Sequence, residues 1–329
     1  VRFDSSFSSY PLCCPSRATF LTGQYAHNHG VRGNQPPLGG YVALDHSNTL
    51  PVWLKAAGYH TSFVGKYLNG YGEGDVGART EVPPGWDDWR AAVRTPGKAT
   101  LSYVGFTLNE NRELVDYAPT QANYQTDVFT RKAVAAIERR APADSPFFLW
   151  LAYFAPHGGL PVDEDDAPAP GVKLTPSPAA RHRDAFATEA LPVTPSFDEA
   201  DVSDKSRLVR NLGRLSFEQQ EALQQAYQQR LESLLAVDEG VAQIVKALRD
   251  AGELARTLIV FTSDNGFMHG EHRVLPDRGK GWPYEASVRV PLVLRGLGLP
   301  HGRRVQDLVS NTDLAPTLLH AARAIPDRV

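Results

Sequence analysis

Apolar and polar positions alternate along the chain with two different periods. Helical spacing of apolar residues predicts helices over 49–57, 123–140 and 312–322. Continuous apolar runs rich in β-branched or aromatic residues predict strands over 60–64, 147–154, 257–262 and 291–294. Such alternation is typical of an α/β fold, and we expect a sandwich in which a large, mostly parallel central sheet is flanked by helices.

Two longer stretches depart from this alternation. Residues 216–251 have a strong helical pattern, for which we expect two helices with a break at 237–238. Ser216 followed by Gln219 predicts a capping box at the start. Residues 156–195 are rich in proline, alanine and aspartate and lack periodicity, so they predict a long excursion over the surface, where function is often found.

Bulk composition narrows the class of protein. The chain has 329 residues, 42% of them hydrophobic, which is enough for one large or two ordinary domains. Its net charge of −3 and the lack of a dense Lys/Arg block argue against nucleic acid and a membrane surface as partners. No apolar run approaches the roughly 20 residues of a membrane-spanning helix. Cys13 and Cys14 are the only cysteines, and adjacent cysteines make no disulfide framework, so they leave the compartment open.

The segment 13–23 contains the first candidate functional residues, and its sequence is Cys-Cys-Pro-Ser-Arg-Ala-Thr-Phe-Leu-Thr-Gly. Pro15 suits the first turn of a helix, so we expect Cys13 just before that helix, where free N–H groups and the helix dipole favour an anion. Arg17 follows about one turn later, and its guanidinium suits the oxygens of such an anion. An isolated cysteine is most often just a small buried residue.

This segment matches Cys-x-Pro-Ser-Arg-x-x-x-Leu-Thr-Gly, the signature of the formylglycine-dependent sulfatases, at every fixed position. The chain therefore resembles that family, which implies the alkaline phosphatase-like sandwich and the hydrolysis of a sulfate ester. The alignment selects Cys13 rather than Cys14 for oxidation to formylglycine (3-oxoalanine) by a formylglycine-generating enzyme. The reason is that Pro15 and Arg17 stand two and four positions after Cys13.

Two further residues follow predicted strands. Lys66 comes after Gly65 at the carboxyl end of the strand 60–64, where side chains enter the usual ligand crevice of α/β folds. His157 follows the strand 147–154, and its near-neutral pKa suits proton transfer. Alone, the first would be an ordinary surface lysine and the second a structural histidine. The resemblance implies that both contact sulfate and that His157 protonates the leaving oxygen.

Asp264 and Asn265 follow the strand 257–262 and place two hard oxygen donors side by side. Such donors suit Ca²⁺ or Mg²⁺, although Asp-Asn-Gly is also a common tight turn. The resemblance implies a metal site made by Asp264, Asn265 and the modified Cys13, with Ca²⁺ preferred over Mg²⁺.

The segment 270–285 completes the similarity. Lys280 aligns with the family's sulfate-binding lysine, and Arg278 is a weaker competitor for that role. His272 and His269 either line the pocket or are solvated, and we assign His272 to substrate binding. Residues 12–15 and 65–71 look closest to the N-acetylglucosamine-6-sulfatase branch.

The resemblance also implies a mechanism. Hydrated formylglycine at position 13 attacks sulfur with one hydroxyl and expels sulfate with the other. Arg17, Lys66, Lys280 and the metal neutralise the charge on the sulfate oxygens. A sulfated sugar or glycosaminoglycan is the expected substrate, and the expected compartment is secreted, periplasmic or lysosomal.

One part of the family pattern is not visible. The family carries two adjacent aspartates on a first strand, whereas only 12 residues precede Cys13 here and Asp4 is a lone carboxylate. No initiator methionine or signal peptide is seen before Val1. We therefore expect residues 1–329 to be a catalytic domain cut at both ends, lacking that strand and a smaller C-terminal subdomain. A missing strand would leave open sheet edges.

Two alternatives stay open. The first alternative to a sulfatase is a phosphodiesterase or phosphonate hydrolase of the same superfamily. The second is a pseudoenzyme that binds sulfated glycans without turnover. Rates on sulfate and phosphate esters separate the first alternative from a sulfatase. The oxidation state of Cys13 separates the second.

Overall fold

The computed structural model describes residues 1–96, 102–140, 145–162, 169–172 and 175–326. The strands are β1 (Arg2–Phe7), β2 (His60–Gly65), β3 (Asp88–Val93), β4 (Phe106–Glu110), β5 (Glu113–Tyr117), β6 (Phe147–Ala152), β7 (Ile259–Thr262), β8 (Leu292–Arg295) and β9 (Arg304–Ser310). The helices are α1 (Cys13–Thr22), α2 (Ala26–His29), α3 (Leu50–Ala56), α4 (Val76–Thr80), α5 (Gln125–Arg140), α6 (Arg207–Arg210), α7 (Phe217–Asp250), α8 (Glu285–Val288) and α9 (Leu314–Ala322).

The strands form two mixed sheets in the described part of the chain. One has the order β7-β8-β1-β9, and the other has the order β5-β4-β3-β2-β6. β2 pairs in parallel with both β3 and β6, and β1 pairs in parallel with β9, while the remaining pairings are antiparallel. The predicted α/β class is therefore confirmed. The sheet is divided and mixed, whereas the sequence predicts one large, mostly parallel sheet.

Most predicted elements lie where the pattern places them. α3, α5 and α9 match the three predicted helices, and β2, β6, β7 and β8 match the four predicted strands. β6 ends at Ala152, two residues short of the predicted 147–154, and most of its residues are only half-buried. At the amino end, Arg2 begins a six-residue strand that is not among the predicted strands.

The predicted break at 237–238 is wrong. α7 is one helix of 34 residues, about 51 Å long at 1.5 Å per residue. No proline or glycine stands at the expected break, and Ala236 and Val237 are buried, so packing continues through it. The capping box of Ser216 and Gln219 is confirmed.

The long helices α5 and α7 pack against one edge strand of each sheet. β6 and β7 are edge strands of different sheets among the described residues. Phe147 of β6 and Ile259 of β7 nevertheless pack against one apolar cluster, which contains Ile137 of α5 and Leu248 of α7. The two edges therefore share the same helical cover.

The segment 156–195 contains no strand and one 3₁₀ turn, at Ala180–His182, among its described residues. Residues 163–168 and 173–174 of this predicted excursion lie outside the described residues, as do the last residues, 327–329. The segment is not wholly superficial, because Thr175, Ser177 and Ala179 are buried. Within the described ranges, no helix is both long and apolar enough to cross a membrane.

Candidate active site

The segment before α1 delivers Cys13 into the interior. Leu12 is the N-cap residue with an extended backbone, so Cys13 is the first residue of the helix and Pro15 is the third. The sequence predicts Cys13 just before the helix. Proline fits anywhere in the first turn, because the N–H groups there have no partner within the helix. The side chain of Cys13 is 3% exposed.

The Leu-Thr-Gly end of the motif closes this helix. Leu21 is fully buried, and Gly23 has a φ of 69°, so its N–H turns back to the carbonyl of Thr19 at 2.8 Å. A Cβ on Gly23 would also lie 3.3 Å from Cδ of Pro316. Glycine is therefore the residue that both the left-handed turn and the packing of α1 on α9 favour.

Two asparagines that sequence reasoning missed hold the amino end of α1 in place. The Oδ1 atom of Asn34 accepts a hydrogen bond from the backbone N–H of Cys14 at 2.9 Å. Asn311 accepts from the N–H of Ser9 at 2.9 Å and donates to the hydroxyl of Ser16 at 3.0 Å. No local pattern could have signalled Asn311, because its partners lie about 300 residues away in the chain.

Lys66 enters the same site from the second sheet. β2 and β6 run parallel with Gly65 opposite Ala152, and the N–H of Lys66 donates to the carbonyl of Ala152 at 3.0 Å. A Cβ on Gly65 would lie only 2.0 Å from that carbonyl oxygen, so this close approach requires glycine. Burial and the neighbouring cations Arg17 and Lys280 lower the pKa of the Lys66 ammonium.

Lys280 is in direct contact with Cys13. Its Nζ atom lies 3.3 Å from the Sγ atom of Cys13, and the N–H of Gly281 donates to the carbonyl of Pro11 at 2.9 Å. Arg278, the competing candidate, has an exposed side chain. The geometry therefore brings Lys280, and not Arg278, to the cysteine.

The two adjacent cysteines have different electrostatic environments. Burial opposes ionisation of Cys13, but Lys66 and Lys280 hold the pKa of its thiol below its usual range. Burial raises the pKa of the Cys14 thiol to about 11. Cationic side chains therefore favour negative charge at position 13, whereas at position 14 burial outweighs them.

Arg17 links the two loops that meet at Cys13. Its Nε atom donates to Oδ2 of Asp264 at 2.7 Å, and its Nη1 atom donates to the carbonyl of Lys66. Burial opposes ionisation of Asp264, yet Arg17, Lys280 and Lys66 hold the pKa of this carboxyl well below its usual range. Asp264 is therefore a carboxylate at any physiological pH.

Asn265 supplies an unused oxygen beside that carboxylate. Its side chain is buried, and its Oδ1 atom is enclosed without a hydrogen-bond donor among the described residues. Its Nδ2 atom donates to the carbonyl of Gly266 at 2.7 Å. An enclosed free oxygen next to a carboxylate fits a hard divalent cation. The part of the chain that the structure describes holds no cluster of three or more His, Cys, Asp or Glu ligands. Two oxygen donors are fewer than the six or more that Ca²⁺ takes.

His157 lies in the loop that follows β6. Its Nδ1 atom is 2.6 Å from the carbonyl oxygen of Gly158, so Nδ1 carries a hydrogen and Nε2 is the acceptor of the neutral ring. The ring stacks on Phe154 at 5.0 Å. Burial, together with Lys66 and Lys280, holds the pKa of His157 well below its usual range, so the ring is neutral in the resting protein.

The structure places His272 and His269 away from these contacts. The Nδ1 atom of His272 pairs with Glu199 at 2.7 Å, and its ring lies 4.2 Å from that of Tyr284. His269 packs beside Phe267, and burial lowers its pKa to about 3. Neither ring makes a contact with Cys13 or Lys280 in the described residues, so the cluster formed by Cys13, Arg17, Lys66, Asp264 and Lys280 does not include them.

Comparison with known proteins fits this geometry. The Sulfatase family model matches residues 1–324. The chain is 34% identical over 98% of its length to the putative extracellular sulfatase Sulf-1 homolog of Caenorhabditis elegans, covering 42% of that protein. It is 32% identical over 98% of its length to human N-acetylglucosamine-6-sulfatase, covering 55% of that protein. The chain thus spans about half the length of these curated relatives.

A solved structure shows the same fold. The structure of BT4656 in complex with its substrate D-glucosamine-2-N,6-O-disulfate superposes with a TM-score of 0.76 at 24% identity, covering 99% of this chain and 70% of that one. The shared fold is the alkaline phosphatase-like α/β sandwich, as the sequence predicts. On its sequence and its fold together, this chain belongs to the sulfatase family.

Proposed function

We propose that this chain carries the catalytic site of an enzyme that hydrolyses the sulfate ester of a sulfated sugar. The observation that carries the proposal is the contact of 3.3 Å between Lys280 and Cys13, with the buried cation Lys66 beside them. A sulfate ester is an anion, and two ammonium groups that converge on one nucleophile position, one buried (Lys66) and one partly buried (Lys280), suit its oxygens. Formylglycine at position 13, once hydrated, would supply the nucleophilic hydroxyl.

Lys66, Lys280 and Arg17 have the remaining roles in this proposal. Lys66 and Lys280 neutralise the sulfate oxygens as charge moves onto them. Arg17 holds Asp264 and the carbonyl of Lys66 in fixed relation through its two hydrogen bonds, and its charge adds to the same field. These groups are fixed before substrate arrives, so they need no reorganisation during the reaction.

His157 is the proposed proton donor to the leaving oxygen. Lys66 and Lys280 keep it neutral in the resting protein. An anionic ester bound between these lysines offsets their charges, so the pKa of His157 rises when substrate binds. The ring then gains the proton that it delivers to the leaving alcohol.

Asp264 and Asn265 are the proposed protein ligands of a divalent cation, with Ca²⁺ preferred over Mg²⁺ because the donors are oxygens of mixed type. The cation would stabilise negative charge on the nucleophilic oxygen at position 13. Ca²⁺ takes six or more oxygens, so further ligands are required.

The further ligands come, in this proposal, from a strand that pairs with the free edges of β6 and β7. Both edges share the apolar cover of α5 and α7. In this proposal, residues 1–329 are part of a catalytic domain that such a strand completes. Adding such a strand upstream of Val1 should raise the thermal unfolding temperature and make it depend on Ca²⁺. A Ca²⁺ response that is the same with and without that strand would contradict this part of the proposal.

The proposed substrate is a sulfated sugar or glycosaminoglycan, because the relatives include an N-acetylglucosamine-6-sulfatase and extracellular sulfatases. Such relatives also support a secreted, periplasmic or lysosomal location. A formylglycine-generating enzyme is the partner that the oxidation of Cys13 requires.

The test compares Cys13→Ser with Cys14→Ala in protein co-produced with a formylglycine-generating enzyme. Mass spectrometry of the peptide that contains Cys13 should show a loss of about 18 Da in the wild type and in Cys14→Ala, since thiol becomes aldehyde. Turnover of an aryl sulfate and of a 6-O-sulfated sugar should follow the same pattern, with Cys13→Ser inactive.

Three results would contradict the proposal. Equal turnover in Cys13→Ser would show that hydrolysis does not require formylglycine at position 13. Faster hydrolysis of phosphate diesters or phosphonate monoesters than of sulfate esters would favour the phosphohydrolase alternative. A persistent thiol with tight binding of sulfated glycan and no hydrolysis would favour the pseudoenzyme.

A further inference from the structure

One buried cation beside the site has no role in the proposed chemistry. Arg230 lies in the first half of α7 and is 8% exposed. Its Nη1 atom donates to the carbonyl of Pro156 at 2.7 Å. Its Nε atom is enclosed without an acceptor, and no carboxylate pairs with the guanidinium in the described part of the chain. Burial lowers the pKa of Arg230 to about 10, so the group is still charged at neutral pH.

The guanidinium touches both loops of the site. Pro156 immediately precedes His157, so the hydrogen bond from Arg230 fixes the loop that carries the proposed proton donor. On its other side, the guanidinium carbon lies 3.9 Å from the ring centroid of Phe267, two residues after Asn265. The same ring has the Nζ atom of Lys280 5.9 Å from its centroid. Arg230 is thus one aromatic ring away from the lysine at Cys13.

A second buried side chain, that of Tyr103, also holds the His157 loop. The hydroxyl of Tyr103 donates to the carbonyl of His157 at 2.7 Å, and Tyr103 is fully buried. Two consecutive carbonyls, those of Pro156 and His157, are therefore each held by a buried side chain. Only Arg230 of these two anchors also packs on the loop that follows Asn265.

A charge in this position is costly to bury. An apolar side chain of similar length would fill the space without the desolvation penalty of an unpaired guanidinium. What the guanidinium adds is a directed hydrogen bond, a planar face for the Phe267 ring and a fixed positive charge. Each of these acts on one of the two loops of the site.

We propose that Arg230 is a positioning residue that fastens the His157 loop to the loop of Asp264 and Asn265. The proposal rests on the proposed function in that His157 is its proton donor. We call the contacts of Arg230 with Pro156 and Phe267 the clasp. These contacts do not depend on turnover.

Arg230 also contributes to the charge state of His157, whose pKa is lowered first by burial and then by nearby cations. The charged groups that face this ring are Lys66, Lys280 and Arg230, and its Nδ1 hydrogen is held by the carbonyl of Gly158. Removing the charge of Arg230 takes away one of three cations that keep the ring neutral. Arg230→Met should therefore raise the pKa of His157, whereas Arg230→Lys should keep it near the wild-type value.

The experiment measures this titration and turnover in the same variants. NMR of the imidazole signals, assigned with His157→Gln, reports the pKa of His157 without any need for activity. Turnover should fall by about 10- to 100-fold in both Arg230→Met and Arg230→Lys, because a lysine keeps the charge but cannot bond Pro156 and stack on Phe267 together. The fall should be in kcat more than in KM. Arg249→Met, an exposed arginine on the same helix, is the matched control and should change neither readout.

Two outcomes would overturn the clasp. The first is an unchanged His157 titration in Arg230→Met together with wild-type kcat in both Arg230 variants. The second is an unchanged titration with a loss of turnover only on substrates that bear a second anionic group, which would make Arg230 a substrate-binding residue. If wild-type protein hydrolyses no sulfate ester, the proposed function fails, while the titration still tests the clasp. Arg230→Lys supplies the turnover comparison should Arg230→Met fail to fold.

Discussion

At the scale of single residues, the site is a cluster of positive charge with one carboxylate inside it. Lys66, Lys280 and Arg17 converge on Cys13, and Asp264 pairs with Arg17. Like charges at short range in a desolvated site repel, so the resting protein holds them at a cost in folding free energy. The cost is of the kind found where function, and not stability, has selected the residues.

Lys66→Met should increase stability and decrease turnover. The pKa of Lys66 is lowered on folding, so its charged form opposes folding at every pH below the unfolded value of about 10.5. Replacing the buried ammonium by an apolar chain of similar length should raise the free energy of unfolding of the metal-free protein at pH 7. Turnover of sulfate esters should fall by at least about 100-fold, because one of the positive charges that neutralise the sulfate oxygens is lost.

Urea denaturation at pH 7 measures the first effect and initial rates measure the second. Lys246→Met is the control, because Lys246 is 70% exposed and lies on the outside of α7. A Lys66→Met protein that is less stable than the wild type would show that the lysine is a structural residue with compensated charge.

At the scale of elements, the long helix α7 is positioned by one glycine. A Cβ on Gly240 would lie 2.5 Å from both the hydroxyl of Thr130 on α5 and the hydroxyl of Tyr153 after β6. Those two hydroxyls hydrogen-bond each other at 2.7 Å. The glycine therefore allows α7 to approach α5 closely, and the same helix brings Arg230 to the His157 loop.

Gly240→Ala should destabilise the protein by about 1–2 kcal/mol. Alanine gains about 1 kcal/mol of helix propensity, but overpacking against two hydrogen-bonded hydroxyls costs more. Tyr153→Phe removes one of the two oxygens, so the double variant should lose less than the sum of the single losses. Thermal or urea unfolding of the four proteins measures this coupling. Strictly additive losses would show that α7 shifts as a body and that the contact does not fix it.

The elements also show where sequence reasoning succeeds and where it fails. The helix α5 is predicted from the helical spacing of its apolar residues, and the strand β2 from its short run of β-branched and aromatic residues. The continuity of α7 is missed, because it depends on packing across its full length and not on the local residues at 237–238. The division into two sheets is missed too, since pairing partners such as β1 and β9 are far apart in sequence.

The same limit applies to the site. The motif predicts Cys13 and Arg17 because they lie within one turn of one helix, and the strand ends predict Lys66 and Asp264. Arg230 and Asn311 give no such signal, because the partners of each are brought near only by the fold. His272, assigned from the resemblance alone, is placed against Glu199, and its role in substrate binding stays a prediction.

At the scale of the whole molecule, buried neutral histidines make folding sensitive to acid. Burial lowers the pKa of His29 to about 4 and that of His269 to about 3, and His157 is lowered as well. The unfolded chain protonates these rings near pH 6.5. As the pH falls from 6.5 towards 4, the unfolded state therefore binds more protons than the folded state, and stability is lost.

The free energy of unfolding should accordingly fall between pH 7 and pH 5, by about 1–2 kcal/mol for each fully neutral histidine. His269→Leu should reduce that fall, because its ring lies among aromatic side chains and its Nδ1 atom has no partner in the described residues. Urea denaturation at both pH values measures the difference. His301→Leu, at an exposed position, is the control, and an equal reduction in both variants would contradict the assignment.

The pairing of β1 with β8 and β9 has a consequence for the time course of synthesis. Arg2 pairs with Val293 and Arg304, so the first strand waits for partners that are made almost 300 residues later. At about 5–20 residues per second, a ribosome needs roughly 15 to 60 s to supply them. In the finished fold Cys13, six residues after that strand, is 3% exposed. If Cys13 is oxidised as proposed, the interval before β8 and β9 emerge is the period in which the oxidising enzyme would have the cysteine within reach, and we expect closure of the sheet to end it.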